Sequence, residues 1–580
     1  MSFTATLRTR LEQATETSVE PGSRVFEPAP EVSRRLSWVT LFFVVAGLVS
    51  WAVGAGVVGF WLFVVAACTV AFALPLPYAM ASPLWMGFFG WLVDMVPLVV
   101  LIGWGAVVVR WGLGLLAQRR LPRGGLWILL PLGILFWTCV GVLAISRADL
   151  THFVLLVLIQ AVASGILLAV VDTLGPPEAR RDLVAALCGL VVVMTALVML
   201  QWAGVPVQGL QDGSVRRELS SLDTFPNDIG LIKWARSVNA GAGELRSGLT
   251  RFAEQHPDLP PFKVFRPKFQ AFENHLVVRF DGSATPFEAE LAKHDVHLIF
   301  DNVGLAPANT IPRMRSIPRN ALTYAGVCAA LFPFALFLMW TEEGRRRWLG
   351  GAGTASCLFG AGMSLSRGAW AAVLLGVIYL AVDGLVDRRR KIRAAGMYVL
   401  AAVLMTAFFY VDYGVNPLTG RAGGGASTTT RASLYKDTLD FLNPKSLLIG
   451  YGTERPRTES GTTHQGTRYV PRAGSHSTYL NYLFRLGIPG ILLIAALYVV
   501  AGLHARRAAR ERDGPERVFY TLAATAVVVA AAHAVVLNLF VEPVYTLTAS
   551  LVVGLALAGA AGALNGSVWQ IGSGRTPRSV

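Results

Sequence analysis

Thirteen long apolar runs constrain this chain more than any other feature. They span 36–53, 57–74, 84–117, 126–145, 151–171 and 182–202. After a long polar stretch come 320–340, 348–364, 369–386, 394–411, 477–502, 518–540 and 545–563. About 20 apolar residues in a helix cross the hydrocarbon of a bilayer. In lipid each segment must also satisfy its own backbone hydrogen bonds. The expected fold is therefore an all-α polytopic membrane protein with 12 to 14 transmembrane helices. Composition agrees: 54% of the residues are hydrophobic and only 15% are charged, with mean hydropathy +0.52. A soluble chain carries about 25% charge, so an ordinary soluble enzyme is excluded.

Arginine placement orients the helices. Arg119–Arg120–Arg123, Arg345–Arg346–Arg347, Arg388–Arg389–Arg390–Lys391 and Arg506–Arg507–Arg510 sit in short loops or at helix ends, and Arg575 and Arg578 lie in the tail. By the positive-inside rule all of these are cytoplasmic. Most of the net charge of +15 is thereby explained by orientation, not by a nucleic-acid partner. Thirteen single crossings would leave Arg34 and Arg35 outside. The run 84–117 is long for one helix and contains Asp94, Pro97 and Arg110. A broken or re-entrant pair there puts both ends of the chain in the cytoplasm.

The expected organisation follows. Residues 1–35 form a cytoplasmic segment, polar and mixed in charge, and do not read as a cleavable signal. A first bundle covers 36–203 and an external insert 204–319. Helices with a Ser-Arg-Gly turn span 320–411, and a second external loop spans 412–476. The last helices occupy 477–564 and a cytoplasmic tail 565–580. Within the insert, LVVRF at 276–280 and VHLIF at 296–300 read as strands among helix-compatible stretches, which suggests a small α+β domain. Cys68, Cys139, Cys188, Cys328 and Cys357 all lie in apolar runs without a C-x-x-C pair. They read as packing residues, not as a zinc site or a disulfide framework.

The external face holds the candidate chemistry. Arg313, Arg315 and Arg319 precede the helix at 320; Arg367 lies in SLSRGAW; Arg431 follows a run of threonines; His476 lies in GSHSTYL. Guanidiniums suit phosphate, because their planar fork donates paired, charge-assisted hydrogen bonds, each worth roughly 1.5–3 kcal/mol. A histidine, with an ordinary pKa near ~6.5, accepts a proton at neutral pH. This set at a lipid–water boundary points to transfer chemistry on a phosphate-bearing lipid. The plainer readings are snorkelling anchors, solvated juxtamembrane arginines and a polar helix start. Asp94, Asp172, Asp383 and His533 are expected to be structural.

His476, Ser477, nine residues, Gly487, two residues and Gly490 match H-[NSQ]-x(9)-G-x-x-[GTY], a pattern of O-antigen ligases. SLSRGAW resembles the Ser-Arg turn of the same superfamily, which also holds O-antigen polymerases and bacterial O-oligosaccharyltransferases. The stretch from Arg431 through Asp440 and Pro444 to GYG at 450–452 resembles the loop before its histidine. The likeness covers residues 315–490. It implies a glycosyltransferase of lipopolysaccharide maturation in the bacterial inner membrane, its active site facing the periplasm. The donor would be a glycan on undecaprenyl pyrophosphate and the acceptor a sugar hydroxyl of the lipid A core. By the same resemblance His476 is the general base, and Arg367 with Arg315, Arg319 or Arg431 holds the pyrophosphate. No metal or other cofactor is implied. Gly487 and Gly490 are expected to serve close helix packing, with Gly487 about 16 Å down a continuous helix.

The long insert leaves the acceptor open. A polymerase would join repeat units, and an O-oligosaccharyltransferase would modify a protein. A transporter of lipid-linked sugars, the reading from another class, would carry polar residues at mid-membrane, whereas here the charges sit at the helix ends.

Overall fold

The computed structural model describes residues 29–558 apart from 93–94, 120, 123–125, 142–149, 203–228, 235–261, 266–274, 281–295, 301–315, 317–320, 365, 414–434, 437, 441, 452–460, 463–467, 470–476 and 537–541. The first bundle comprises α1 (Pro30–Ala52), α2 (Gly56–Ala73), α3 (Leu76–Leu92), α4 (Val96–Ala117), α5 (Leu129–Val140), α6 (Leu150–Thr173) and α7 (Pro177–Trp202). Beyond the insert lie α8 (Ala321–Thr341), α9 (Gly344–Met363), α10 (Arg367–Val382), α11 (Arg388–Tyr413) and the short α12 (Pro444–Ile449). The chain closes with α13 (Thr478–Glu511), α14 (Gly514–Ala534) and α15 (Pro543–Leu557). Nine of these helices, among the described residues, are long and apolar enough to span a bilayer, and shorter apolar helices accompany them. The membrane-spanning part of the chain is all-α and multi-pass.

The ambiguous run 84–117 is two helices. Proline fixes φ near the helical value and lacks an N–H that a first turn leaves unpaired anyway, so it suits a helix start; Pro97 opens α4 in this way after α3 ends at Leu92. Among the described residues of the run 126–145, a 3-10 turn leads into the twelve residues of α5.

α8 lies at the centre and is almost wholly buried, whereas α1 packs mainly on α2 and leaves most of its surface to the outside. Both are apolar all round, so position and not amphipathicity separates them. Cys188, Cys328 and Cys357 are buried free thiols as expected; Cys139 is exposed and Cys68 intermediate.

Helix ends sort into two layers. At one end Ser33 Oγ donates to the Ala73 carbonyl at 2.5 Å, joining α1 to α2, and Arg346 pairs with Asp182 at 2.7 Å. Arg180, 1% exposed, lies in the same layer. Its Nη2 meets Glu516 at 2.5 Å, its guanidinium stacks 4.8 Å over Phe519, and it also donates to Tyr520. This is the arginine-rich end. At the other end the start of α13 touches the end of α14, and the start of α8 touches the start of α15. Burying a charge stabilises nothing unless it is paired.

Within the insert, β1 (Ile229–Trp234), β2 (Phe262–Phe265), β3 (His275–Phe280) and β4 (Val296–Phe300) form an antiparallel sheet in the order β2-β3-β1-β4. β3 and β4 are the two strands expected from sequence. β1 pairs with β3 from Ile229 opposite Arg279 to Lys233 opposite His275.

Replacing Glu516 by Ala strands Arg180 in the core. Such a change is expected to cost about 3 kcal/mol, read as a lower melting temperature in nanodiscs. The double change Arg180→Leu with Glu516→Leu recovers most of the loss.

Candidate active site

The long helix α13 is broken. Gly487 has φ +69° and ψ −165°, and Pro489 follows without an N–H to donate. A break inside a membrane segment frees carbonyls that hydrocarbon cannot satisfy. Here other segments satisfy them. The backbone N–H of Tyr451 donates to the Phe484 carbonyl at 2.8 Å, and Trp137 Nε1 of α5 donates to the Leu486 carbonyl at 2.7 Å.

The first donor arrives on α12, a one-and-a-half-turn helix from the second external loop. Asn443 caps it: its Oδ1 accepts from the Ser446 N–H at 2.9 Å, while Ser446 Oγ accepts from the Asn443 N–H at 2.8 Å. This capping box satisfies two end donors at once. α12 ends on Gly450 at φ +75°, where a Cβ would lie 2.1 Å from the Arg485 carbonyl. A Cβ on Gly487 would lie 2.6 Å from the Leu447 carbonyl. Each glycine thus admits the other segment's backbone. Tyr451 stacks on Phe484 at 4.8 Å and accepts a bond from Asn443 Nδ2 at 2.9 Å. The expectation of a continuous helix with packing glycines is corrected at Gly487: it is a conformational break that seats a loop.

Arg367 is the one sequence-predicted site residue that the structure describes. It is exposed at the first position of α10, directly after the N-cap Ser366, whose Oγ accepts from the Ala369 N–H at 3.3 Å. His476, Arg313, Arg315, Arg319 and Arg431 lie outside the described residues. Their chain neighbours, however, converge. Gly368 faces Val536 so closely that a Cβ would lie 2.2 Å from its methyl. Tyr479, three residues after His476, donates to the Ala531 carbonyl at 3.1 Å. Tyr435, four residues after Arg431, donates to the Val535 carbonyl at 3.3 Å. All three meet on the last turn of α14. Thr323, four residues after Arg319, donates to Glu542 at 3.3 Å, at the N-cap of α15. Ser316, beside Arg315, is anchored on the Met194 carbonyl at 2.8 Å with φ +50°, a left-handed conformation that a non-glycine residue adopts at a cost.

Sequence reasoning missed several of these residues. Glu542 is an acid in the gap between two apolar runs on the site face. Arg485 is a cation inside an apolar run, 7% exposed. A charge within a spanning segment marks function or pairing by default, so both signals were in the sequence. The cap Asn443 gave none, and Tyr451 was noted only as part of GYG at 450–452, without its stacking role.

The fold and this end of the bundle define a multi-pass membrane protein that gathers an arginine, a buried N-capped helix start and a docked loop at one membrane face. Residues 352–495 match the family model described as O-antigen ligase. That segment runs from α9 through the break in α13, and over it the chain is similar to the O-antigen ligase family. No curated protein matches the chain.

Gly450→Ala is expected to be destabilising: a left-handed non-glycine residue alone costs about 1–2 kcal/mol, and the carbonyl contact adds to it. Gly351→Ala inside α9, with nothing within 4 Å of the added carbon, does not lower the melting temperature, since alanine favours a helix interior over glycine, and serves as the control.

Proposed function

We propose that this protein transfers a glycan from undecaprenyl pyrophosphate to a sugar hydroxyl of the lipid A core, at the periplasmic face of the bacterial inner membrane. The supporting observation is the convergence on the last turn of α14. Gly368, Tyr435 and Tyr479 meet there on residues 531–536, so the segments carrying Arg367, Arg431 and His476 share one end of the bundle. The arginine-rich end lies opposite, which by the positive-inside rule is cytoplasmic.

The reaction divides between two kinds of group. The imidazole of His476 takes the proton of the acceptor hydroxyl as its oxygen bonds the anomeric carbon. The bond from that carbon to the pyrophosphate oxygen breaks, and the leaving group gathers negative charge. Arg367, together with Arg315, Arg319 or Arg431, stabilises that charge through paired hydrogen bonds. Arg367 stands at the N-terminus of α10, where the helix dipole adds a favourable field. No metal is needed in this division of labour.

Purified His476→Ala in nanodiscs is expected to fold normally and lose about 100-fold or more of its transfer rate from a lipid-linked donor; substantial residual transfer refutes the base assignment. Arg367→Ala is expected to lower kcat by about 100-fold, and Arg367→Lys restores only part because it lacks the fork. A chelator leaves the rate unchanged.

Deleting the gene identifies the acceptor. Lipid A core without polymer, and polymer held on the carrier, supports the ligase. Single-repeat capping supports a polymerase, and an unmodified protein acceptor an O-oligosaccharyltransferase.

A further inference from the structure

Between α5, α6, α13 and α15 the packing is incomplete. A cavity of about 40 Å³ lies there, with Gln160, Ser164, Tyr482, Thr546 and Ser550 in its wall and aliphatic side chains such as Leu167 and Leu497 around them. Thr478, the first residue of α13, also lines it.

Gln160 is 3% exposed. Its Oε1 accepts from the Tyr482 hydroxyl at 3.3 Å, while its Nε2 has no partner among the described residues. A buried amide N–H without a partner is costly, and one that lines a cavity points to a ligand inside it. Three hydroxyls in the wall donate to backbone carbonyls. Ser164 donates to the Pro131 carbonyl at 3.1 Å, Thr546 to the Glu542 carbonyl at 3.0 Å, and Ser550 to the Thr546 carbonyl at 3.1 Å. Among the described residues the wall therefore presents amide N–H donors from Gln160 and oxygen lone pairs from those hydroxyls, with no charged side chain lining it. An anion would face lone pairs without a cation, and a cation would face the amide N–H. A hydroxyl group, which both accepts and donates, matches the lining.

We infer that this cavity is a binding site for uncharged hydroxyl groups, with Gln160 Nε2 as its donor. The hydroxyl comes either from water or from the head of an amphiphile whose chain lies along the aliphatic wall. At about 10–15 Å³ per water, the space holds about three. Arg367, the described member of the pyrophosphate set, does not line the cavity, and the site stands whether or not that reading does.

Thermal melting of the full-length protein in phosphatidylcholine nanodiscs tests it, on wild type, Gln160→Met and Tyr482→Phe. Tyr482→Phe removes the bond to Oε1 and leaves the amide N–H in place; Gln160→Met removes that bond and the donor of the site. Gln160→Met is therefore expected to melt about 2 °C or more below Tyr482→Phe. If it melts level with or above Tyr482→Phe, the amide holds nothing and the inference fails. Added 1-octanol separates the two sources. A rise in the wild-type melting temperature that is absent in Gln160→Met assigns an amphiphile hydroxyl; no rise assigns water.

Discussion

Within hydrocarbon a peptide group has no partner but protein, and that constraint governs the functional end of this molecule. α13 could have run unbroken, since its residues are apolar enough to span. Instead Gly487 and Pro489 open its hydrogen-bond ladder, and the carbonyls of Phe484 and Leu486 are taken by Tyr451 from α12 and Trp137 from α5. The break is thereby converted into a junction of three segments distant in sequence. The first half of α13, which starts two residues after His476, is positioned by that junction.

The two left-handed glycines explain why the junction is tight. Gly450 and Gly487 remove the side chains that would hold the backbones apart, and each lies over a carbonyl of the opposing segment. Stacking of Tyr451 on Phe484 then fixes the orientation of the loop against the helix. The last turn of α14 does similar work at the surface, since it receives neighbours of three site segments through Val536 and the carbonyls of Ala531 and Val535. Backbone carbonyls at a helix C-terminus are natural acceptors, because the ladder leaves them open. The O-antigen ligase match over residues 352–495 includes the α10 start, the docked loop and the break, but not α14. The scaffold that gathers the site thus extends beyond the segment recognised by family.

Much of this was legible in the chain. Apolar length gave nearly all the long helices, Asp94 and Pro97 marked the division of 84–117, and the alternating apolar residues of β3 and β4 gave two of the four strands of the insert. Arg367, expected in the turn between two helices, opens the second of them. The failures have a common cause. Gly487 was read as a packing residue because a lone glycine in an apolar run carries no sign of its φ. Arg485 and Glu542 were passed over because hydropathy averages hide a single charge. The pairing of Arg180 with Glu516 joins residues far apart in the chain, and no local pattern announces it.

The sequence by itself determined that the chain lives in a membrane and which ends of its helices are basic. Those properties depend on composition within short windows, where transfer energies and charge placement act locally. Only the tertiary structure decided that α13 breaks, that a loop helix fills the break, and that α14 draws the site segments together. Such features rest on hydrogen bonds and close approaches between residues up to hundreds of positions apart, and their energy exists only once the segments have met.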